Sequence, residues 1–92
     1  MIRSFRNKGL QRFAQWGDPS KLSVQNHDRV RRILQRLDLA ITPFEMDAPG
    51  NFFHPLAGDQ SGRYSVRVTG NWRITFAFDG KNAVDVDLED YH

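Results

Sequence analysis

Two stretches in the first half of the chain carry apolar residues at helical spacing. In residues 8–16, Leu10, Phe13 and Ala14 stand at positions i, i+3 and i+4, which predicts a short amphipathic helix. A Gly-Asp-Pro sequence follows at residues 17–19 and ends this helix, because glycine and proline both interrupt regular structure.

The second stretch predicts a longer helix that begins after Ser23, whose side chain is typical of an N-cap. Thr42 precedes a proline and therefore avoids the α conformation, so we expect the helix to end there. The apolar residues between these limits share one helix face, which we expect to be buried: Val30, Ile33, Leu34, Leu37 and Ile41.

The last third of the chain alternates apolar and polar residues, which predicts three antiparallel strands joined by turns at residues 69–71 and 79–81. The predicted inward-facing residues are Tyr64, Val66 and Val68, then Trp72, Ile74, Phe76 and Phe78, then Val84, Val86 and Leu88. Residues 1–5 and 51–54 add shorter strand segments. The pattern predicts an α+β fold in which two N-terminal helices pack on a small, mainly antiparallel β-sheet.

The opposite face of the predicted sheet is polar and carries the following residues: Arg67, Arg73, Thr75, Asp85 and Asp87. Opposite charges on neighbouring strands pair across a sheet, so one interpretation of Arg73 is a cross-strand ion pair. The other interpretation is a phosphate ligand, since a guanidinium group can grip two phosphate oxygens. The residue pattern leaves both open.

Composition narrows the class of protein. A chain of 92 residues suffices for one domain with a modest core, and we expect residues 1–92 to form it. The absence of cysteine excludes disulfides and thiolate metal sites. No stretch is long and apolar enough to span a membrane, so we expect a cytoplasmic protein. The scattered positions of His27, His54 and His92 predict no metal site, and no motif predicts a cofactor.

The formal net charge is only +2, yet most of the 13 basic residues are arginines. Guanidinium groups bind phosphate bidentately and stack on nucleobases. Arg29, Arg32 and Arg36 share one stripe of the second predicted helix. This stripe is either a solvated helix face or a patch that binds RNA phosphates.

The chain ends in a cluster of titratable groups. Asp90, Tyr91 and His92 follow the third predicted strand, and all three side-chain types can transfer protons in catalysis. A polar chain end is the alternative interpretation. His54 precedes a proline and is expected to have an extended backbone. It is either a hydrogen-bonding surface residue or a catalytic one.

Several segments spread over the chain have a distinctive sequence. They are MIRSF at residues 1–5, HPL at 54–56 with GD at 58–59, YSVRV at 64–68, NWRITF at 71–76 and EDYH at 89–92. Together they resemble the HigB toxins, which belong to the RelE/ParE superfamily of bacterial toxin–antitoxin systems. The resemblance spans the whole chain and implies a RelE-like fold.

This resemblance implies a ribosome-dependent messenger-RNA endonuclease that inhibits translation. Members of the family enter the ribosomal A site and cut the bound message there. A HigA antitoxin with a helix-turn-helix holds them inactive, and the complex represses its own operon. The implied partners are therefore a HigA-like antitoxin, the ribosome with its messenger RNA, and operator DNA only through the antitoxin complex.

The resemblance also carries over catalytic positions one by one: His54, Arg73, Asp90, Tyr91 and His92. The family usually has a lysine after His-Pro-Leu, where this chain has Ala57. Either Arg63 or Arg67 supplies the missing cation, or the enzyme is weaker than its relatives.

Metal-free cleavage by the ribose 2′-hydroxyl requires proton transfer and stabilisation of charge on the phosphate. We expect His92 and Asp90 to transfer protons with help from His54. Arg73 would stabilise charge and Tyr91 would stack on a base. Two rival functions share the expected fold. One is a non-enzymatic ParE-like gyrase inhibitor, and the other is an inactive co-repressor that only binds the antitoxin.

Overall fold

The computed structural model of the chain describes residues 1–90. The helices are α1 Lys8–Trp16 and α2 His27–Leu39, and the strands are β1 His54–Pro55, β2 Tyr64–Arg67, β3 Trp72–Asp79 and β4 Asn82–Asp90. Short 3₁₀ turns occupy Pro43–Met46 and Gly58–Gln60. The strands form one antiparallel sheet in the order β1-β2-β3-β4, which confirms the predicted α+β fold.

Helix α1 lies where its apolar spacing predicted. Its N-cap is Asn7, whose side chain accepts a hydrogen bond from the Leu10 N–H at 2.8 Å, and Gly17 ends it in the left-handed conformation. Leu10 is buried as expected, but Ala14 is exposed. Gly9 is buried instead, because the backbone of the following loop passes directly over it.

Helix α2 is shorter at both ends than its sequence predicted. The N-cap is Asn26, whose side chain accepts from the Arg29 N–H, so the assignment of Ser23 was wrong. The helix ends at Leu39 because Ala40 turns to the extended conformation. Ile41 therefore lies outside the buried stripe and is 54% exposed, which corrects the prediction that it is buried.

A β-bulge changes which residues of β4 face the core. The pairing of β3 with β4 shifts between Thr75 and Ala77, and the extra residue, Asp85, has a φ of 52°. Ala83 precedes the bulge and Val86 follows it, and both side chains are consequently fully buried. Val84 was predicted to face inward but is only half-buried, because the bulge reverses the alternation.

The segment before α1, which was expected to be an edge or joining strand, runs parallel to β4 but meets it only through two isolated bridges. Ile2 bridges Ala83 and Phe5 bridges Val86, and backbone hydrogen bonds of 2.8–3.1 Å hold the segment there. It covers the free edge of β4. The other predicted short segment, residues 51–54, is a strand only from His54 onward.

The core lies between the two helices and the apolar face of the sheet. It includes Leu10, Phe13, Val30, Ile33, Leu34 and Leu37 from the helices and Val66, Ile74, Phe76, Ala83, Val86 and Leu88 from the sheet. The opposite, more polar face of the sheet is left uncovered by the helices. None of the helices among residues 1–90 is long and apolar enough to cross a membrane.

Candidate active site

The polar face of the sheet holds a cleft of about 380 Å³, and three predicted catalytic residues line it. His54 comes from β1, Arg73 from β3 and Asp90 from the end of β4. The remaining lining residues are Leu56, Ala57, Gln60, Ser65, Thr75 and Glu89. The fold therefore brings together residues that are up to 36 positions apart, from 54 to 90.

Strand register explains the placement of Arg73. It pairs with Arg67 of β2 on one side and with Glu89 of β4 on the other. Directly opposed residues of antiparallel strands point to the same face, so a guanidinium group lies on each of two neighbouring strands. The carboxylate of Glu89 accepts hydrogen bonds from Thr75 Oγ1 and Gln60 Nε2. Arg73 thus lies at the floor of a cleft with charged residues on both sides.

Asp90 lies at the rim of the cleft and is exposed. Its partner across the sheet is Trp72, and Asn71 Nδ2 donates to Asp90 Oδ1 at 2.8 Å. This bond orients the carboxylate, since Asn71 belongs to the turn that leads into β3. The predictions for Tyr91 and His92 fall outside the residues that the structure describes.

A buried hydrogen-bond network supports the floor of the cleft. Arg63 is only 6% exposed, and its Nη2 donates to Thr75 Oγ1 at 2.9 Å and to the Asp85 carbonyl oxygen at 2.8 Å. Thr75 in turn donates to Glu89. Burial lowers the pKa of Arg63, and nearby Arg6 lowers it further, while the carboxylates of β4 oppose the shift. Arg63 is therefore engaged inside the sheet.

Sequence reasoning missed the neutral and acidic members of this network. Gln60, Thr75 and Glu89 line the cleft but were not named as site residues. The parity of β3 offered a signal, since Thr75 and Arg73 are two positions apart and share a face. Gln60 gave no such signal because it reaches the cleft from the 3₁₀ turn before β2.

A second cleft, of about 340 Å³, adjoins the first and shares His54, Leu56, Ser65 and Arg73 with it. Arg67 lies in this second cleft with its guanidinium carbon 4.1 Å from the centre of the Phe52 ring. This is a cation–π contact. Arg63 and Arg67 were the two candidates to supply the cation that Ala57 lacks, and Arg67 is the one that faces a cleft.

The arginine stripe of α2 is divided between two environments. Arg29 Nη2 donates to the Gly50 carbonyl, to Asn51 Oδ1 and to the Arg67 carbonyl at 2.9–3.1 Å. Burial, and then the charge of Arg32, lower the pKa of Arg29. Arg32 and Arg36 are both exposed, and Arg36 Nε also donates to the Glu45 carbonyl. Arg29 therefore connects α2 to the β2 region, and Arg32 faces solvent.

No group of three or more histidine, aspartate or glutamate residues within residues 1–90 is arranged to hold a metal ion. Three of the side chains that line the cleft carry groups that can take part in catalysis. Arg73 offers a fixed positive charge, His54 an imidazole and Asp90 a carboxylate. This combination suits an anionic substrate whose reaction moves protons.

A family model for the HigB-like toxin, described as the RelE-like toxin of the type II toxin–antitoxin system HigB, matches residues 3–92. The chain belongs to this family. It is also 40% identical to endoribonuclease HigB of Proteus vulgaris over 92 residues, which cover all of both chains. The resemblance drawn from the sequence is therefore confirmed, and with it the RelE-like class of the fold.

Membership of the HigB-like toxins changes the interpretation of the cleft. A type II toxin has an antitoxin as its partner. His54, Arg73 and Asp90 were named as catalytic positions through the family resemblance, and the fold places all three in one cleft. Their catalytic roles remain predictions.

Proposed function

We propose that this chain is a ribosome-dependent messenger-RNA endonuclease that cuts the message in the ribosomal A site by attack of a ribose 2′-hydroxyl. The observation that carries the proposal is the convergence of His54, Arg73 and Asp90 from three strands in one cleft. Family membership supports it, as does the name endoribonuclease that the relative from Proteus vulgaris bears.

Arg73 stabilises the negative charge that grows on the phosphate oxygens during attack. A guanidinium group stays protonated at neutral pH and can donate two parallel hydrogen bonds to a phosphate. Its place on a central strand, with a neighbouring strand on each side, holds the group in position before the substrate arrives. The cross-strand neighbour Arg67 adds a second positive charge close by.

The proton transfers of the reaction are carried out by titratable side chains at and near the rim of the cleft. In this proposal His92 and Asp90 take the proton from the 2′-hydroxyl and return one to the leaving 5′-oxygen, while His54 assists. Asn71 fixes the Asp90 carboxylate from the side. Tyr91 stacks on a base of the message, as aromatic side chains do when they bind single-stranded RNA.

Arg67 compensates for Ala57, which stands where the family usually has lysine. Ala57 lines the cleft but offers no charge, and Arg63 is committed to Thr75 and Asp85. Arg67 faces the adjoining cleft and shares Arg73 as a neighbour. A cation therefore remains available beside the scissile phosphate.

The low net charge suits an enzyme whose substrate is presented by the ribosome. With a formal charge of +2, the chain need not bind free RNA tightly through counterion release. Arg32 and Arg36 of α2 are the ribosomal-RNA contacts in this proposal. The antitoxin is a HigA-like helix-turn-helix protein that also links the toxin to operator DNA, and the site of action is the cytoplasm.

The test is cleavage of messenger RNA on programmed ribosomes, with the cut ends mapped by primer extension. Four proteins are compared: the parent, Arg73→Ala, a chain lacking His92, and Gln15→Ala as an exposed control that does not line the cleft. We expect A-site cuts from the parent and the control. Loss of one preorganised charge contact lowers the rate on the order of 100-fold or more, so we expect Arg73→Ala to be nearly inactive.

The same experiment separates the rival functions. A ParE-like gyrase inhibitor would arrest growth without cutting RNA, and removing His92 would leave its toxicity intact. An inactive co-repressor, for which Ala57 in the cleft is the favourable observation, would neither cut RNA nor slow growth. Either result would refute the proposal.

A further inference from the structure

Phe52 is an exposed aromatic residue held in an uncommon backbone conformation beside the cleft. Its φ is 48°, in the left-handed region that a residue with a bulky side chain seldom occupies. Its side chain is 60% exposed, so burial of the ring does not account for the conformation. Strained residues of this kind persist where the surrounding structure fixes them, and they concentrate at functional sites.

Asn51 fixes the backbone immediately before Phe52. Asn51 is 5% exposed, its carbonyl accepts from the Arg67 N–H at 2.7 Å, and its Nδ2 donates to the Met46 carbonyl at 2.7 Å. Arg29 donates to its Oδ1 at 3.0 Å. The hydrogen bonds of buried Asn51 therefore fix the backbone position of Phe52, and burial of the Phe52 ring does not.

One face of the Phe52 ring is occupied and the ring still reaches solvent. The guanidinium carbon of Arg67 lies 4.1 Å from the ring centre. Within residues 1–90 Arg67 forms no ion pair with a carboxylate. Its directly opposed neighbour on β3 is another arginine, Arg73. Arg67 therefore offers a positive charge that no carboxylate of the described residues pairs with.

We propose that Phe52 and Arg67 form a nucleotide subsite next to the cut. The ring of Phe52 stacks on the base of the nucleotide that flanks the scissile phosphate, and Arg67 binds that nucleotide's phosphate. Stacking on an aromatic ring tolerates any base, since every base has a π-face. The cleft that contains the pair is continuous with the candidate active site through His54 and Arg73. The inference rests on the proposed nuclease function and names a part of its substrate site.

The subsite predicts a specific kinetic change when the aromatic ring is removed. Phe52→Leu keeps an apolar side chain but has no π-face, so we expect KM for programmed ribosomes to rise on the order of 10-fold with kcat within about twofold. Phe52→Tyr keeps the ring and should behave as the parent. Phe44→Leu is the matched control, because Phe44 is similarly exposed, at 63%, and lies outside both clefts.

Phe52→Gly separates stacking from folding. Glycine adopts a positive φ without strain, so this variant should unfold at or near the parental temperature. Its KM should nevertheless rise as much as that of Phe52→Leu.

Each outcome decides the inference. A parental KM in Phe52→Leu and Phe52→Gly would overturn the subsite and leave the nuclease intact. A fall in kcat with unchanged KM would overturn it too, since Phe52 would then act by holding Arg67 near Arg73. Weaker antitoxin binding without a change in KM would assign the ring to the antitoxin interface. No cleavage by the parent would overturn both the nuclease and its subsite.

Discussion

Single arginines of this chain differ in role although their sequence surroundings are alike. Arg29 and Arg32 stand one turn apart on α2, yet Arg29 donates to three acceptors of the loop and strand opposite, whereas Arg32 faces solvent. Arg63 is likewise buried in the sheet, whereas Arg67 lies against Phe52 in a cleft. Burial and partners therefore decide which guanidinium groups remain available to a nucleic acid.

Gly9 provides a prediction about close packing. A Cβ at this position would lie 2.0 Å from the backbone oxygen of Lys21, which cannot move aside as a side chain would. Alanine favours helices over glycine by about 1 kcal/mol, but overpacking typically costs about 1–3 kcal/mol. We therefore expect Gly9→Ala to lower the free energy of unfolding in urea denaturation. An increase in stability would show that the loop relaxes easily, and Gln15→Ala in the same helix serves as control.

Glu45 provides a prediction about pH. The backbone N–H groups of Ile41 and Thr42 donate to its carboxylate at 2.7 Å and 2.9 Å and lower its pKa from 4.5. A lowered folded-state pKa contributes stability above pH 4.5, and that contribution is lost as the pH falls through the folded-state value. Glu45→Gln should therefore be less stable than the parent at pH 7, with the difference shrinking toward pH 3.

The measurement is urea denaturation of both proteins across this pH range. Asp47→Asn is the matched control, because Asp47 is an exposed carboxylate that accepts no backbone N–H within residues 1–90. A stability difference for Glu45→Gln that stays constant from pH 7 to pH 3 would refute the electrostatic explanation.

At the scale of elements, the periodicity of the sequence predicted the helices and strands. It did not predict where α2 ends or which residues of β4 face the core. Helix α2 ends because Ala40 adopts the extended conformation, which is earlier than the end predicted at Thr42 from the following Pro43. The phase of β4 depended on Asp85, whose φ of 52° shifts the alternation by one residue. Ser4 stabilises that bulge, since its Oγ accepts from the Asp85 N–H at 2.8 Å.

The start of α2 can be tested by substituting Asn26, the N-cap in the structure, and Ser23, the N-cap that the sequence predicted. Asn26 accepts from the Arg29 N–H, so Asn26→Ala should lower the free energy of unfolding by about 1 kcal/mol. Ser23 is exposed and precedes the helix, so Ser23→Ala should leave stability unchanged. Urea denaturation of the two variants beside the parent decides the matter. Equal losses would mean that the helix extends back to Ser23 in solution.

In the whole molecule, one face of the sheet forms the core and the opposite face is available for the candidate active site. One face packs against both helices and forms the core, and the other carries His54 and Arg73 in a cleft that Asp90 borders at its rim. Catalytic candidates therefore stand on strands that the core holds rigid. The outer face of α2 provides a further charged surface, which is separate from the core.

Ribosome binding should report which arginines of α2 contact RNA. Each lost phosphate contact reduces the slope of log K against log salt by about one. We expect Arg32→Gln to lower this slope by about one and to leave the stability of the protein unchanged. Arg29→Gln should instead cost about 1.5–3 kcal/mol of stability, because its charged hydrogen bonds are lost.

The measurement is binding to ribosomes at several salt concentrations, with thermal unfolding of each variant alongside. An unchanged slope for Arg32→Gln would exclude this part of α2 from the docking surface. Parental stability of Arg29→Gln would show that its contacts to the loop and to β2 contribute little.

The sequence by itself determined the two helices, the strand meander and the family, since these depend on local periodicity, turn chemistry and short motifs. The three described catalytic candidates, His54, Arg73 and Asp90, also came from those motifs. Only the tertiary structure placed them in one cleft. It also assigned Arg63 to the sheet interior and set Arg67 against Phe52. The physical reason is that burial and hydrogen-bond partners involve residues far apart in the chain, and only folding brings them together.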